Sequence, residues 1–191
     1  MKKLIVIFPG AGYGLDSPLL YYADFLFETK GYERIHMDYQ SILLNRELSL
    51  ENKVAKVRQY VYEQVKDVDF TAYDEVVFLS KSIGSKEAGI LAEKLGVNVI
   101  QIFITPIEEA ISYCKTNSYV VIGTDDKAYQ TYKEYCDANS IKALFVEGVN
   151  HSLEVVGRPY QSIDVLKRVM KFIERWGFNS EKCFRVLGSK K

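Results

Sequence analysis

The sequence predicts an α/β fold: a three-layer α/β/α sandwich around a mostly parallel sheet of about six strands, as a single domain over residues 1–191. Three observations predict it. Short apolar runs alternate along the chain with longer segments whose apolar residues recur at helical spacing. Residues that start and stop helices stand at the junctions. With 191 residues, 48% of them apolar, the chain can fill one substantial core and is too short for two comfortable ones.

The elements follow in order. Leu4–Phe8 reads as a buried strand, closed by Pro9 and Gly10. Ser17 and Pro18 open a helix as N-cap and N1, and Gly31 ends it. Arg34–Asp38 is a second strand. Val54, Val57, Val61 and Val65 share one face of a helix over Leu50–Lys66. Glu75–Leu79 is a third strand, followed by a helix over Ser82–Leu95 that Gly96 stops. Val97–Ile104 is a fourth strand. Thr105, Pro106 and Glu108 form a capping box that starts a short helix to about Lys115. Tyr119–Ile122 and Lys142–Val146 are strands on either side of a helix over Ala128–Ala138. Ile163, Leu166, Met170, Ile173 and Trp176 line one face of a long last helix. Residues 177–191 form a polar tail whose Cys183–Leu187 segment could add an edge strand.

Composition narrows the function classes. Lys plus Arg equals Asp plus Glu at 25 each, which gives no reason to expect nucleic acid or an anionic membrane as partner. No apolar run approaches a membrane span, and Leu4–Phe8 is too short for a signal peptide. Cys114, Cys136 and Cys183 are far apart and the histidines are only His36 and His151, so neither a metal site nor a cofactor is expected. An odd cysteine count without a leader suggests a reducing, cytoplasmic compartment. His36 lies inside a strand and reads as structural.

In a parallel sheet, ligands bind beyond the carboxyl ends of the strands. Three loops at such ends carry parts that fit together. In Leu79–Ser85 a strand passes at once into a helix, placing Ser82 on a sharp turn with small neighbours Ser80, Gly84 and Ser85. An exposed nucleophile on such a turn needs small residues two positions away on each side, and the helix amino terminus favours negative charge beside it. Val121–Lys127 ends a strand in Gly123 and carries Asp126 three residues on, with Asp125 as the alternative acid. Such an acid holds a histidine in the correct tautomer. Glu147–Leu153 presents His151, the one loop histidine, as general base. A fourth loop, Phe8–Gly14, is rich in glycine and can bring a backbone N–H close to a ligand. The N–H of Ala11, or of Gly12, would pair with that of Ile83 as an oxyanion hole worth ~3 kcal/mol per donor.

Phe-Pro-Gly-Ala-Gly, Ser-Lys-Ser-Ile-Gly-Ser, Gly-Thr-Asp-Asp and Val-Asn-His-Ser-Leu, with the order Ser, Asp, His, resemble the α/β-hydrolase superfamily. The likeness is to its compact members with a Lys-Ser-x-Gly elbow, and it covers roughly residues 2 to 176. The chain departs from the pattern at Ser80, where a glycine is usual, and reads as short of the two strands that precede the oxyanion strand in larger members. The resemblance implies a serine hydrolase that cleaves an ester, thioester or related acyl bond of a small molecule through an acyl-enzyme on Ser82. Only about a dozen residues separate the fourth and fifth strands, which leaves no room for a lid. Two other readings compete: a non-catalytic binding protein of the same fold, and a dinucleotide-binding domain. For the latter, Gly10, Gly12, Gly14 and Asp38 are suggestive, but Leu15 stands where the third fingerprint glycine belongs.

Overall fold

The computed structural model describes residues 1–178. Six strands form one sheet: β1 (Lys3–Phe8), β2 (Glu33–His36), β3 (Glu75–Lys81), β4 (Ile100–Ile104), β5 (Ser118–Gly123) and β6 (Lys142–Val146). Their order is β2-β1-β3-β4-β5-β6, and every pairing is parallel. Helices α1 (Pro18–Thr29) and α6 (Pro159–Gly177) pack together on one face. Among the described residues the other α-helices are α2 (Gln40–Leu44), α3 (Leu50–Val65), α4 (Gly84–Leu95) and α5 (Tyr129–Asn139). The two faces follow from the pleat, which sends alternate side chains to opposite sides. Ile5, Ile7, Val77, Leu79, Ile102, Ile104 and Val121 pack with α1 and α6. Leu4, Val6, Phe8, Val76 and Phe78 pack with Val57, Val61 and Val65 of α3 and with Ala88 and Leu91 of α4. Phe103, Val120 and Ile122 meet Tyr132 and Cys136 of α5.

Local signals hold where they rest on backbone needs. Pro18 starts α1, although the Ser17 side chain caps nothing. Gly31 and Gly96 follow α1 and α4 at φ +77° and +63°, in the left-handed region that glycine enters without strain.

Four expectations are corrected. The last helix buries Val165, Val169 and Ile173, with Leu166 and Met170 beside them, whereas Ile163 is 59% exposed. Ile163 lies six residues before Val169, roughly 120° around a 3.6-residue helix, and so falls off the buried stripe. The segment after β4 is a 3-10 helix over Glu108–Tyr113 with Ile107 at its N-cap position, not a helix capped by Thr105. Thr105 instead has φ +40°, and its N–H donates to Val121 O at 2.7 Å. The second strand ends at His36 and leaves Asp38 outside it, while α2 follows unforeseen. Helix α4 starts at Gly84, so Ser82 stands before it and does not act as its cap. The proposed edge strand Cys183–Leu187 lies outside the described residues.

Candidate active site

Between the end of β3 at Lys81 and the start of α4 at Gly84 only two residues turn the chain. Ser82 makes the turn with φ 54°. For a residue with a Cβ this conformation costs on the order of 1–3 kcal/mol and persists only where its surroundings impose it. They do so here. The Ser82 N–H donates to Ile104 O at 3.1 Å, and its carbonyl accepts the Ser85 N–H at 3.0 Å and the Ser85 hydroxyl at 2.5 Å. Gly84 is obligatory, because a Cβ there would stand 2.5 Å from Phe8 O and 2.7 Å from Pro9 O. Gly10 presses on the same turn, its Cβ direction 3.1 Å from Ser82 Cβ. Ser80 has no such constraint. It sits in regular strand, fully buried, with its hydroxyl donating to Ile102 O at 3.4 Å. The elbow therefore accepts serine where the common pattern has glycine.

His151 lies over this turn, in the loop between β6 and α6. Its Nε2 is 2.9 Å from Ser82 Oγ and its Nδ1 is 2.6 Å from Asp126 Oδ2. A carboxylate can only accept, so Nδ1 carries the proton, and the lone pair of Nε2 faces the Ser82 hydroxyl. Asp126 is held in turn: its other oxygen accepts the Ala128 N–H at 3.0 Å, and its own N–H donates to Gly123 O at 3.1 Å. Burial opposes ionisation of Asp126. The hydrogen bonds from His151 and Ala128, and the charges of His151 and Lys81, outweigh it and keep the carboxyl below the usual carboxylate range. The Asp125 carboxylate accepts from the Thr124 hydroxyl at 3.4 Å and makes no hydrogen bond to His151 among the described residues. Of the two candidate acids, the fold brings Asp126 to the histidine.

Among the described residues, the N–H groups of Ala11, Gly12 and Ile83 donate to no protein acceptor. Ile83 follows the nucleophile position, and Ala11 and Gly12 lie just beyond the Gly10 contact with Ser82. Beside His151 opens a groove of about 650 Å³, lined among others by Pro106, Ile107, Ala128, Glu108, Glu109 and Lys127. Among the described residues no helix covers it as a lid would: the chain between β4 and β5 is taken up by the 3-10 turn that forms one wall. Among the described residues, no group of three or more His, Cys, Asp or Glu side chains could hold a metal ion. None of their helices is long and apolar enough to cross a membrane. His36 is remote from the site, paired with Asp24 at 2.7 Å.

Two contributors went unforeseen. Lys81, the residue before Ser82, is 1% exposed. Its Nζ donates to Thr105 Oγ1 and, at 2.7 Å, to the backbone carbonyl of His151. Thr105 thus serves the site rather than a helix cap. The available signal was a lysine directly continuing the apolar run Val76–Leu79 with only Ser80 between.

No family model and no curated protein matches the sequence. Solved structures do match in fold. A candidate hydrolase of the alpha/beta superfamily from Xanthomonas campestris is 17% identical with TM-score 0.59, covering 90% of this chain and 99% of its own. A lidless α/β serine hydrolase from Xanthomonas campestris is 15% identical with TM-score 0.57, over 91% of this chain and 81% of its own. Dienelactone hydrolase from Anabaena variabilis is 14% identical with TM-score 0.57, over 92% and 87%. The chain has the α/β-hydrolase fold.

Proposed function

We propose that this protein is a serine hydrolase that cleaves a carboxylic ester, thioester or related acyl bond through an acyl-enzyme on Ser82. The observation that carries the proposal is the unbroken chain of hydrogen bonds from Ser82 Oγ through His151 to Asp126. His151 Nε2 takes the Ser82 proton as Oγ attacks the substrate carbonyl carbon. Asp126 keeps the ring in the tautomer that permits this and stabilises the imidazolium that forms. The oxygen of the tetrahedral intermediate, now negative, rests on the N–H groups of Ile83 and of Ala11 or Gly12. As the intermediate collapses, the bond to the leaving group breaks and His151 gives it the proton. Water then attacks the acyl-enzyme with His151 again as base, releasing the acid and restoring Ser82.

The groove beside His151 is open to solvent, which favours small or extended acyl substrates over the deeply enclosed chain of a lipid. The dinucleotide reading loses its acid, since Asp38 lies outside β2, and it gives the Ser82–His151–Asp126 contacts no role. A fluorophosphonate probe tests the proposal. The wild type should be phosphonylated on Ser82, and Ser82→Ala should not react. A folded wild type that stays unlabelled would favour a non-catalytic binding protein, and labelling of Ser82→Ala would show another nucleophile.

A further inference from the structure

Lys81 is a buried charge that this mechanism leaves unused. In β3 it continues the row of Val77 and Leu79, which face α1 and α6, so its stem runs through apolar packing toward the base loop. Among the described residues, no carboxylate lies within ion-pair distance of its ammonium. Its hydrogen-bond partners are Thr105 Oγ1, from the end of β4, and the carbonyl of His151. The ring of Tyr13, from the β1–α1 loop, lies 5.1 Å from Nζ, and Asp126 is near enough for its charge to be felt. Burying an ammonium on neutral partners is unfavourable, and a methionine would fill the same space without that penalty. The position is better explained by what the cation touches: three of its neighbours belong to the loops that carry the base and the acid and to the strand end beneath them.

We propose that Lys81 is a positioning residue for the reaction: it pins the backbone of His151 to the end of β4 and keeps a positive charge beside Asp126. Nothing else among the described residues bonds the His151 carbonyl. The loop is otherwise tied through its neighbours, by Leu153 N–H to Asn150 O at 2.9 Å and Asp125 N–H to Val149 O at 3.0 Å. Without Lys81 the imidazole keeps its partners but loses the anchor on its own residue. The titratable groups facing the ammonium are Asp126, His151 and Tyr13, with Glu154 acting behind Tyr13. Burial brings the Lys81 ammonium down to about 8, against the opposing charge of Asp126. Above that pH the amine can still donate its hydrogen bonds, but the cation beside Asp126 is gone.

The inference rests on the Ser82–His151–Asp126 reading, and one experiment separates the two. Second-order rates of fluorophosphonate labelling are measured from about pH 7 to about pH 9, a range that spans the Lys81 transition, for wild type, Lys81→Met and Thr105→Val. Thermal melts accompany each variant. The wild-type rate should fall through a transition near 8. Lys81→Met should label on the order of 10- to 100-fold more slowly at neutral pH, the effect expected of a displaced base, and should lack the alkaline transition. A lysine needed only for folding would lower the melting temperature without reshaping the pH profile. If Lys81→Met does not fold, Thr105→Val decides: it removes one partner of the ammonium while keeping the side-chain shape, and should shift the transition and slow labelling. Wild-type rates that stay level across this range, or a Lys81→Met rate equal to wild type, overturn the inference while leaving the triad standing. A wild type that never labels overturns the triad, and this inference falls with it.

Discussion

Asp125 and Asp126 are adjacent in one turn, yet their surroundings differ completely. Asp126 has its side chain buried, takes the Ala128 N–H on one oxygen and faces His151 Nδ1 with the other. Asp125 lies at the edge of the groove. Asp126→Asn should therefore lower esterase and labelling rates by ~10⁴, because an amide can offer a donor to Nδ1 and stabilise the wrong tautomer. Asp125→Asn should stay within a few-fold of wild type, as expected for a substitution away from the reacting groups. Rate constants for the two variants on one p-nitrophenyl ester check this, and equal losses would contradict the assignment. At this scale the residues that the structure brings together are legible in the sequence, since each follows a strand end, and the three-residue spacing from Gly123 singles out Asp126, the aspartate that meets His151. For Lys81 the sequence held only one cue, a lysine continuing an apolar run. A lysine just before a turn reads as an exposed loop residue, and its burial depends on Tyr13, Thr105 and His151, which lie far from it in sequence.

Most helices and strands were legible as elements, because periodicity and helix stops are local properties. Their ends were less so. Ser80 and Lys81 extend β3 beyond Leu79 because β4 pairs with them, Ser80 with Phe103 and Lys81 with Ile104. The capping pattern at Thr105 failed for a similar reason: pairing to β5 and the demand of Lys81 decide its conformation. One close approach between elements governs the placement of the base. At the end of β5, a Cβ on Gly123 would stand 2.0 Å from the carbonyl oxygen of Val149, in the His151 loop. The backbone there cannot yield without moving the loop. Gly123→Ala should thus destabilise the fold by about 1–3 kcal/mol, in the range of overpacked sites. It should also slow labelling of the molecules that remain folded, whereas Gly12→Ala, which meets nothing within 4 Å, should leave stability unchanged. Denaturant melts with labelling under native conditions would show it. A Gly123→Ala protein as stable and reactive as wild type would mean that the two backbones are not in contact.

Across the whole molecule, strand order is what assembles the site. Alternation along the chain predicts parallel strands but not their sequence across the sheet. The order β2-β1-β3-β4-β5-β6 sets the β1 loop beside the β3 elbow and lets the loops after β5 and β6 converge on it from the other side. The β1-loop oxyanion donor, Ala11 or Gly12, and the base with its acid thus come from opposite flanks of Ser82, while Ile83 supplies the other donor from the elbow itself. The proposed mechanism places an acyl group on Ser82 during turnover. Mixing the protein with p-nitrophenyl acetate, quenching in acid within the burst and mapping peptides by mass tests it most directly. An acetyl group is expected on the peptide containing Ser82, formed together with the burst of p-nitrophenolate and absent from Ser82→Ala. Steady hydrolysis without any acetylated Ser82 peptide, or the same adduct elsewhere in the chain, would contradict it.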